Sequence, residues 1–281
     1  MMTKLTAFVK NHFLLGKIVK IIIYFILILL TVYDNSCRIF RKLGICSDER
    51  KKNKSLQNIN GKKRCFIICT GPSLTFEDLE VLSGEYTFGM NSIPMLYEKT
   101  SFRATYYGCI DKGVYDKLKN TIDKYSNQHE KVFINDRIRR SIGGKLKDNW
   151  YNISCNVAYH TYDRWFKGNF RCKFSDDAYI GTYNMHSVTH FLIQIAVYMG
   201  FKEIYLLGAD CNFPKNDKIH FVEHDIPDTT IETARERNIS GYLKIKEYTK
   251  NHDVRIYNAT RGGALEVFER VDLDEVLLSE N

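Results

Sequence analysis

The sequence predicts an α/β protein with a parallel sheet, helices on both faces, a lid-like insertion and an apolar N-terminal helix. Three observations carry this. Short apolar runs recur at residues 65–69 (CFIIC), 86–90 (YTFGM), 104–110 (ATYYGCI), 131–135 (KVFIN), 203–207 (EIYLL) and 254–257 (VRIY). The central ones lack a clean period-two alternation, as in strands covered on both faces. Segments of helical period stand between them, which is the βα alternation of a parallel sheet. The third observation is one complete unit. Val188, Phe191, Leu192, Ile195, Ala196 and Met199 fall at helical spacing, Gly200 sits where a helix cap needs positive φ, and EIYLL follows. That run ends in Gly208-Ala209-Asp210, so Asp210 stands at a strand's carboxyl end, where open α/β sheets bind ligands. The plain alternative is an ordinary αβ unit with a capping aspartate.

The chain begins with a short polar stretch, then residues 13–33 are strongly apolar around IIIYFILILLTVY. A bilayer crossing takes about 20 apolar residues. The segment reaches that length by including Lys17 and Lys20, whose stems can snorkel. No small-residue cleavage site follows, so residues 1–36 are expected to be a retained anchor; an in-plane interfacial helix and a buried core helix are the alternatives. Residues 37–63 are a basic linker containing Arg38, Arg41, Lys42, Arg50, Lys51, Lys52 and Lys54. Net charge is +8, and this segment suits anionic headgroups; a solvated linker is the plain alternative. Basic residues following the apolar segment place the main body on the cytoplasmic side. No nucleic-acid motif accompanies the charge. The eight cysteines have no zinc-finger spacing and are expected to be reduced thiols.

Residues 64–281 form the globular domain. After its first strand, Thr70-Gly71-Pro72-Ser73 makes a turn into a helix, a geometry that presents backbone N–H groups to an anion. The turn is neither a dinucleotide fingerprint nor a P-loop. Asn91 ends the second strand and suits a base or ribose, with helix capping as the alternative. Asp111 is expected to cap a helix. Residues 136–177 are basic and aromatic, with few clean periods, as in a lid or acceptor-binding insertion; a loop region with its own small aromatic core is the equal alternative. The loop after Asp210 holds His220 and His224, which titrate near neutrality without large tuning. Glu223 is out of place for a zinc helix, and no metal is expected. Residues 230–251 read as a helix broken near Ser240-Gly241. Asn258 and Thr260 follow the last strand, again where ligands bind.

In this order, the Gly-Pro-Ser-Leu turn, Asn91, MGFKEIYLLGAD, the histidine loop and IYNATRGGALEVF resemble a Rossmann-like superfamily. It holds bacterial family 42 sialyltransferases, Maf flagellin glycosyltransferases and hydroxymethylpterin diphosphokinases. The resemblance covers about residues 64–278. It implies a metal-independent, inverting transferase without cofactor, using a nucleotide sugar donor, CMP-sialic acid or a related nonulosonate, for surface glycan synthesis. The other partners it implies are a glycan or glycolipid acceptor and the membrane.

Residue by residue, Gly71 and Ser73 match the turn beneath the nucleotide, and Asn91 an asparagine that contacts it. Ser187 and Thr189 lie near the donor carboxylate, and Asp210 by the ribose. His224 resembles the general base, with His220 as the alternative. Two departures stand out. Thr70 replaces an asparagine, and Asn212 and Lys218 stand where phosphate-binding tyrosines are expected; Lys218 can neutralise a phosphate instead. A different nucleotide sugar therefore stays open. A diphosphokinase on this fold and a non-catalytic nucleotide- or glycan-binding membrane protein are the other readings.

Overall fold

The structure is a computed structural model that describes residues 13–61, 63–212, 221 and 231–279. Its centre is an eight-stranded, wholly parallel sheet flanked by helices. In chain order the strands are β1 (Arg64–Ile68), β2 (Thr87–Met90), β3 (Tyr106–Cys109), β4 (Lys131–Ile134), β5 (Trp150–Asn152), β8 (Glu203–Leu207), β9 (Arg255–Asn258) and β10 (Glu269–Arg270). A separate two-stranded parallel pair is formed by β6 (Cys155–Asn156) and β7 (Thr182–Tyr183). The sheet order is β10-β9-β8-β1-β2-β3-β4-β5. The chain runs outward from β1 in one direction and from β8 in the other. The β1/β8 seam is therefore the switch point, at whose carboxyl end open sheets of this kind bind ligands.

The apolar runs become strands because both faces are covered. On one face Phe66, Tyr205 and Tyr257 stack across β1, β8 and β9, with centroids 5.1 Å apart at each step. They pack with Leu74, Leu79 and Leu82 from the turn and helix α3 (Phe76–Glu80). On the other face Phe88, Tyr106 and Phe133 meet Phe201 and helix α7 (Val188–Tyr198). Each such ring contributes about 1.5–3 kcal/mol by leaving water. Gly108 lets α7 lie close on β3, since a Cβ there would stand 2.5 Å from Leu192. Gly200 ends α7 at φ +94, as its place after Met199 requires.

Helix α1 (Phe13–Lys42) is about 45 Å long at 1.5 Å per residue. Within it Leu14–Lys42 is long and apolar enough to cross a membrane. Leu14, Ile22, Phe25 and Leu29 are exposed. Its C-terminal third is docked: Arg38 donates to the Gly181 carbonyl at 2.8 Å and covers the Tyr183 ring. Asn156 donates to Asp34 at 2.6 Å.

The basic stretch that follows differs from a solvated linker. Its charges have partners, so it straps the edge of the domain. Helix α2 (Asp48–Lys51) pairs Glu49 with Arg139 at 2.8 Å and Arg50 with Asp136. Asn53 donates to Asn152 O, Leu56 is fully buried, and Asn60 donates to the Tyr106 hydroxyl.

Two further expectations change. Residues 136–177 contribute β5 to the main sheet, as well as the short helices α5 (Asp136–Arg139) and α6 (Ala158–Tyr162). Helix α8 (Ala234–Thr249) is unbroken at Ser240-Gly241. Gly241 is there for close approach: a Cβ would stand 2.3 Å from the His190 ring. Helix α4 (Lys112–Tyr125) is capped by Asp111, and α9 (Leu273–Leu278) by Asp272.

Candidate functional site

The carboxyl ends of β1, β2, β8 and β9 gather most of the residues singled out above. The β1 turn and the β8 end are in direct contact. Gly71 N–H donates to Gly208 O at 3.0 Å, and the Ser73 hydroxyl donates to Asp210 Oδ2 at 2.8 Å. Only glycine fits at 71, because a Cβ would fall 1.9 Å from Asp210 Oδ2 and 2.4 Å from Gly208 O. Gly263, at φ +74, closes on the other side of Asp210, whose carbonyl accepts from Ala264 N at 2.6 Å. Asp210 is 8% exposed and so is held on three sides.

This geometry corrects the expectation of an anion cradle at Gly71. That N–H is already spent on Gly208 O. The first turn of α3 is closed by its own capping box, in which Thr75 and Asp78 bond reciprocally. The nearby carboxylate of Asp210 also disfavours a phosphate against this turn. Thr70 serves as an anchor as well, its carbonyl accepting from Phe221 N at 2.8 Å. Phe221 in turn packs its ring on Phe76, so the loop after Asp210 returns to the β1 turn.

Asn258 and Thr260 are corrected in the same way. Asn258 is fully buried, with Nδ2 donating to Leu265 O and Oδ1 accepting from Thr260 N. The Thr260 hydroxyl accepts from Ala209 N and donates to Leu206 O. Both side chains fix the loop after β9 to the end of β8.

Beside the ends of β1 and β2 Ser187 caps α7 and bonds Thr189, whose hydroxyl lies 3.4 Å from Cys69 Sγ and 3.6 Å from Met90 Sδ. Thr189 is 4% exposed, so Ser187 is the more accessible hydroxyl. Burial pushes the Cys69 and Cys211 thiols up to about 12, so neither supplies a thiolate.

Asn91, next along from Met90, stands in the left-handed region at φ +45. Its carbonyl accepts from the Tyr107 hydroxyl at 2.8 Å, but its side-chain Oδ1 is buried without a partner among the described residues. Buried polar atoms are nearly always satisfied, so an orphan at a switch point marks a place for a ligand donor. Cys211 (φ +49) and His186 (φ +74) are strained at the same rim.

Asn212 is exposed beside Cys211. Lys218, His220 and His224 lie outside the described residues. The sequence missed Arg261, whose guanidinium pairs with the buried Asp78 carboxylate over α3 and brings a cation to the rim. The only signal was its place in the Thr-Arg-Gly-Gly run. It also missed His160 and His186, which nothing in their local pattern distinguishes. A shallow groove lined by Tyr198, Tyr248 and His252 lies at the opposite, amino end of the sheet, away from this chemistry.

A family model described as 6-hydroxymethylpterin diphosphokinase MptE-like matches residues 37–216, well over half of the chain. The chain belongs to the MptE-like family. The match spans the strap, the β1 turn, Asn91, the α7 cap and Asp210 of this MptE-like protein. It points to a transferase on this fold. Among curated proteins none matches. Solved structures that resemble it include a MAf glycosyltransferase from Magnetospirillum magneticum AMB-1, 13% identical, with a TM-score of 0.47. That similarity covers 79% of this chain and 38% of the other.

Proposed function

We propose that this MptE-like protein is a membrane-tethered, inverting glycosyltransferase that takes a nucleotide-activated sugar, and that a CMP-linked nonulosonate such as sialic acid is the first donor to test. The unsatisfied Asn91 Oδ1 at the β1/β2 rim carries the reading, because it suits an amine or hydroxyl of a base or ribose. Asp210 supports it from the other side of the seam. Its carboxylate, held by Ser73, suits ribose hydroxyls better than phosphates.

The base for the acceptor hydroxyl is proposed to come from His220 or His224. A neutral imidazole suits that role, with His224 as the first candidate and His220 as the alternative. Lys218 and Arg261 are the proposed counter-charges for the leaving phosphate, and no metal is required in this scheme. Helix α1 is proposed to anchor the catalytic domain at the cytoplasmic face of the membrane.

The family description favours a second reading, diphosphate transfer from ATP. Phosphoryl transfer of that kind relies on magnesium bridging the phosphates. The test is a thermal-shift screen of CMP, UDP, GDP and ATP, followed by turnover with and without EDTA. Stabilisation by CMP but not ATP, with EDTA-resistant transfer lost in Asn91→Ala, is the expected result. Binding of ATP with EDTA-sensitive turnover overturns it in favour of the kinase.

A further inference from the structure

A second group of polar side chains lies beside this rim and takes no part in the proposed transfer step. His160, on α6, is 2% exposed, and neither of its ring nitrogens has a partner among the described residues. His186 lies against it, ring centroids 4.4 Å apart, and both of its nitrogens are also unpartnered among the described residues. His186 immediately precedes Ser187, the α7 cap, and is held at φ +74. Four buried ring nitrogens without partners are a costly arrangement unless something else satisfies them.

The charge around the pair says what that something is. Arg164, in the π-helical turn Asp163–Lys167 that follows α6, and Arg237 from α8 both bear on His186, as does His190 from α7. Asp163, the nearby carboxylate, is already tied to Lys167 and Arg171 at 3.0 Å each. A cation would be repelled here, and the described residues hold no group of three metal-ligating side chains. An anion would find two imidazoles and two guanidiniums.

Helix α1 sets the direction of approach. Tyr24 packs on Tyr162 at 5.0 Å, and Lys20 lies over the Phe166 ring. The apolar length of α1 thus runs alongside α6, which carries His160.

We propose that His160 and His186, together with Arg164 and Arg237, bind the phosphate or pyrophosphate of a ligand reaching them from the membrane. The phosphate site stands on the cluster alone; its assignment to a lipid-linked acceptor rests on the glycosyltransfer reading. Each imidazole donates one N–H when neutral and two when protonated, so the anion draws a proton in with it. Binding therefore tightens as pH falls toward the lowered value at which the free ring protonates, about 4 for His160.

The test uses the full chain in phosphatidylcholine nanodiscs, with inorganic pyrophosphate and farnesyl pyrophosphate as probes. Farnesyl pyrophosphate should bind, and its affinity should fall at least about tenfold in His160→Gln and in Arg164→Gln. Arg164→Gln lies on a half-exposed face and guards against a folding defect in the buried variant. Equal affinity for the two probes would support the phosphate site and overturn the membrane source. No binding of either probe, or unchanged binding in both variants, overturns the site. Histidine-dependent binding without turnover of any sugar nucleotide would instead sink the glycosyltransfer reading and leave this one standing.

Discussion

The two polar clusters at the carboxyl rim are built on opposite terms. Around Gly71 and Asp210, side chains and backbone are spent on one another: Ser73 on Asp210, Thr260 on Ala209, Asn258 on Leu265. Around His160 and His186, the ring nitrogens have no hydrogen-bond partner among the described residues. The first cluster is a frame that sets the distance between β1 and β8. The second is stored electrostatic cost, kept because the fold around it is rigid enough to hold it. Asn91 sits between the two, with its backbone carbonyl committed to Tyr107 and one side-chain atom left open.

The largest expected effect exposes that stored cost through pH. Burial lowers His160 and His190 to about 4, while burial and the neighbouring His160 and Arg164 lower His186 to about 2. Burial also takes His129, under β3, to about 4. The unfolded chain protonates near 6.5 and the folded one does not. Stability is therefore fully present above about pH 6.5 and falls as pH drops toward 4, by about 1.4 kcal/mol per pH unit for each histidine titrating only when unfolded. Urea unfolding from pH 7 to pH 4.5 reads the slope. Its absence would mean that these rings are hydrated, and the contrast with the Asp210 frame would dissolve. Pyrophosphate should flatten it.

Next in size is the frame itself. Gly71→Ala puts a methyl group on the Gly208 carbonyl as well as on Asp210, and backbone cannot swing aside as a side chain can. The expected loss is about 3 kcal/mol, at the upper end for overpacking, and thermal unfolding reads it. A near-neutral result would mean the β1/β8 seam is looser than its contacts imply.

How much of this was legible beforehand follows the same division. The strands and α7 were legible, because burial on both faces leaves apolar runs and helical period in the sequence. The meeting of Gly71 with Asp210 was legible in part, since both are strand-end positions and the switch point joins strand ends. What each residue does there was not. Asn258 and Thr260 carry ligand-binding chemistry and spend it on their own loop, and no local pattern separates those two outcomes. The strap of residues 43–61 reads as a linker because its partners, Arg139, Asn152 and Tyr106, lie far along the chain. His160 and His186 are 26 residues apart, and only the fold brings their rings together.

Asn91→Ala comes next and bears on the residue between the clusters. Its open Oδ1 means that folding loses little with that atom, whereas a nucleotide would lose a partner. Affinity for the stabilising nucleotide should fall about tenfold, or about 1.4 kcal/mol, beyond the roughly 1 kcal/mol of stability that alanine loses at φ +45, which Asn91→Gly avoids as the control. The reverse pattern would make Asn91 part of the frame.

Ser73→Ala is the smallest and the most discriminating. The Ser73 hydroxyl is half-buried and donates to one oxygen of Asp210, so its removal should cost about 1 kcal/mol of stability. If Asp210 serves only the frame, nucleotide affinity will not change, because the carboxylate stays hemmed in by Gly71 and Gly263. If Asp210 also holds the ribose, losing the hydroxyl that orients it will weaken binding while leaving the maximal rate of transfer intact. Measuring affinity and rate in this one variant therefore decides whether the packed side of the rim supports the site from behind or forms part of it.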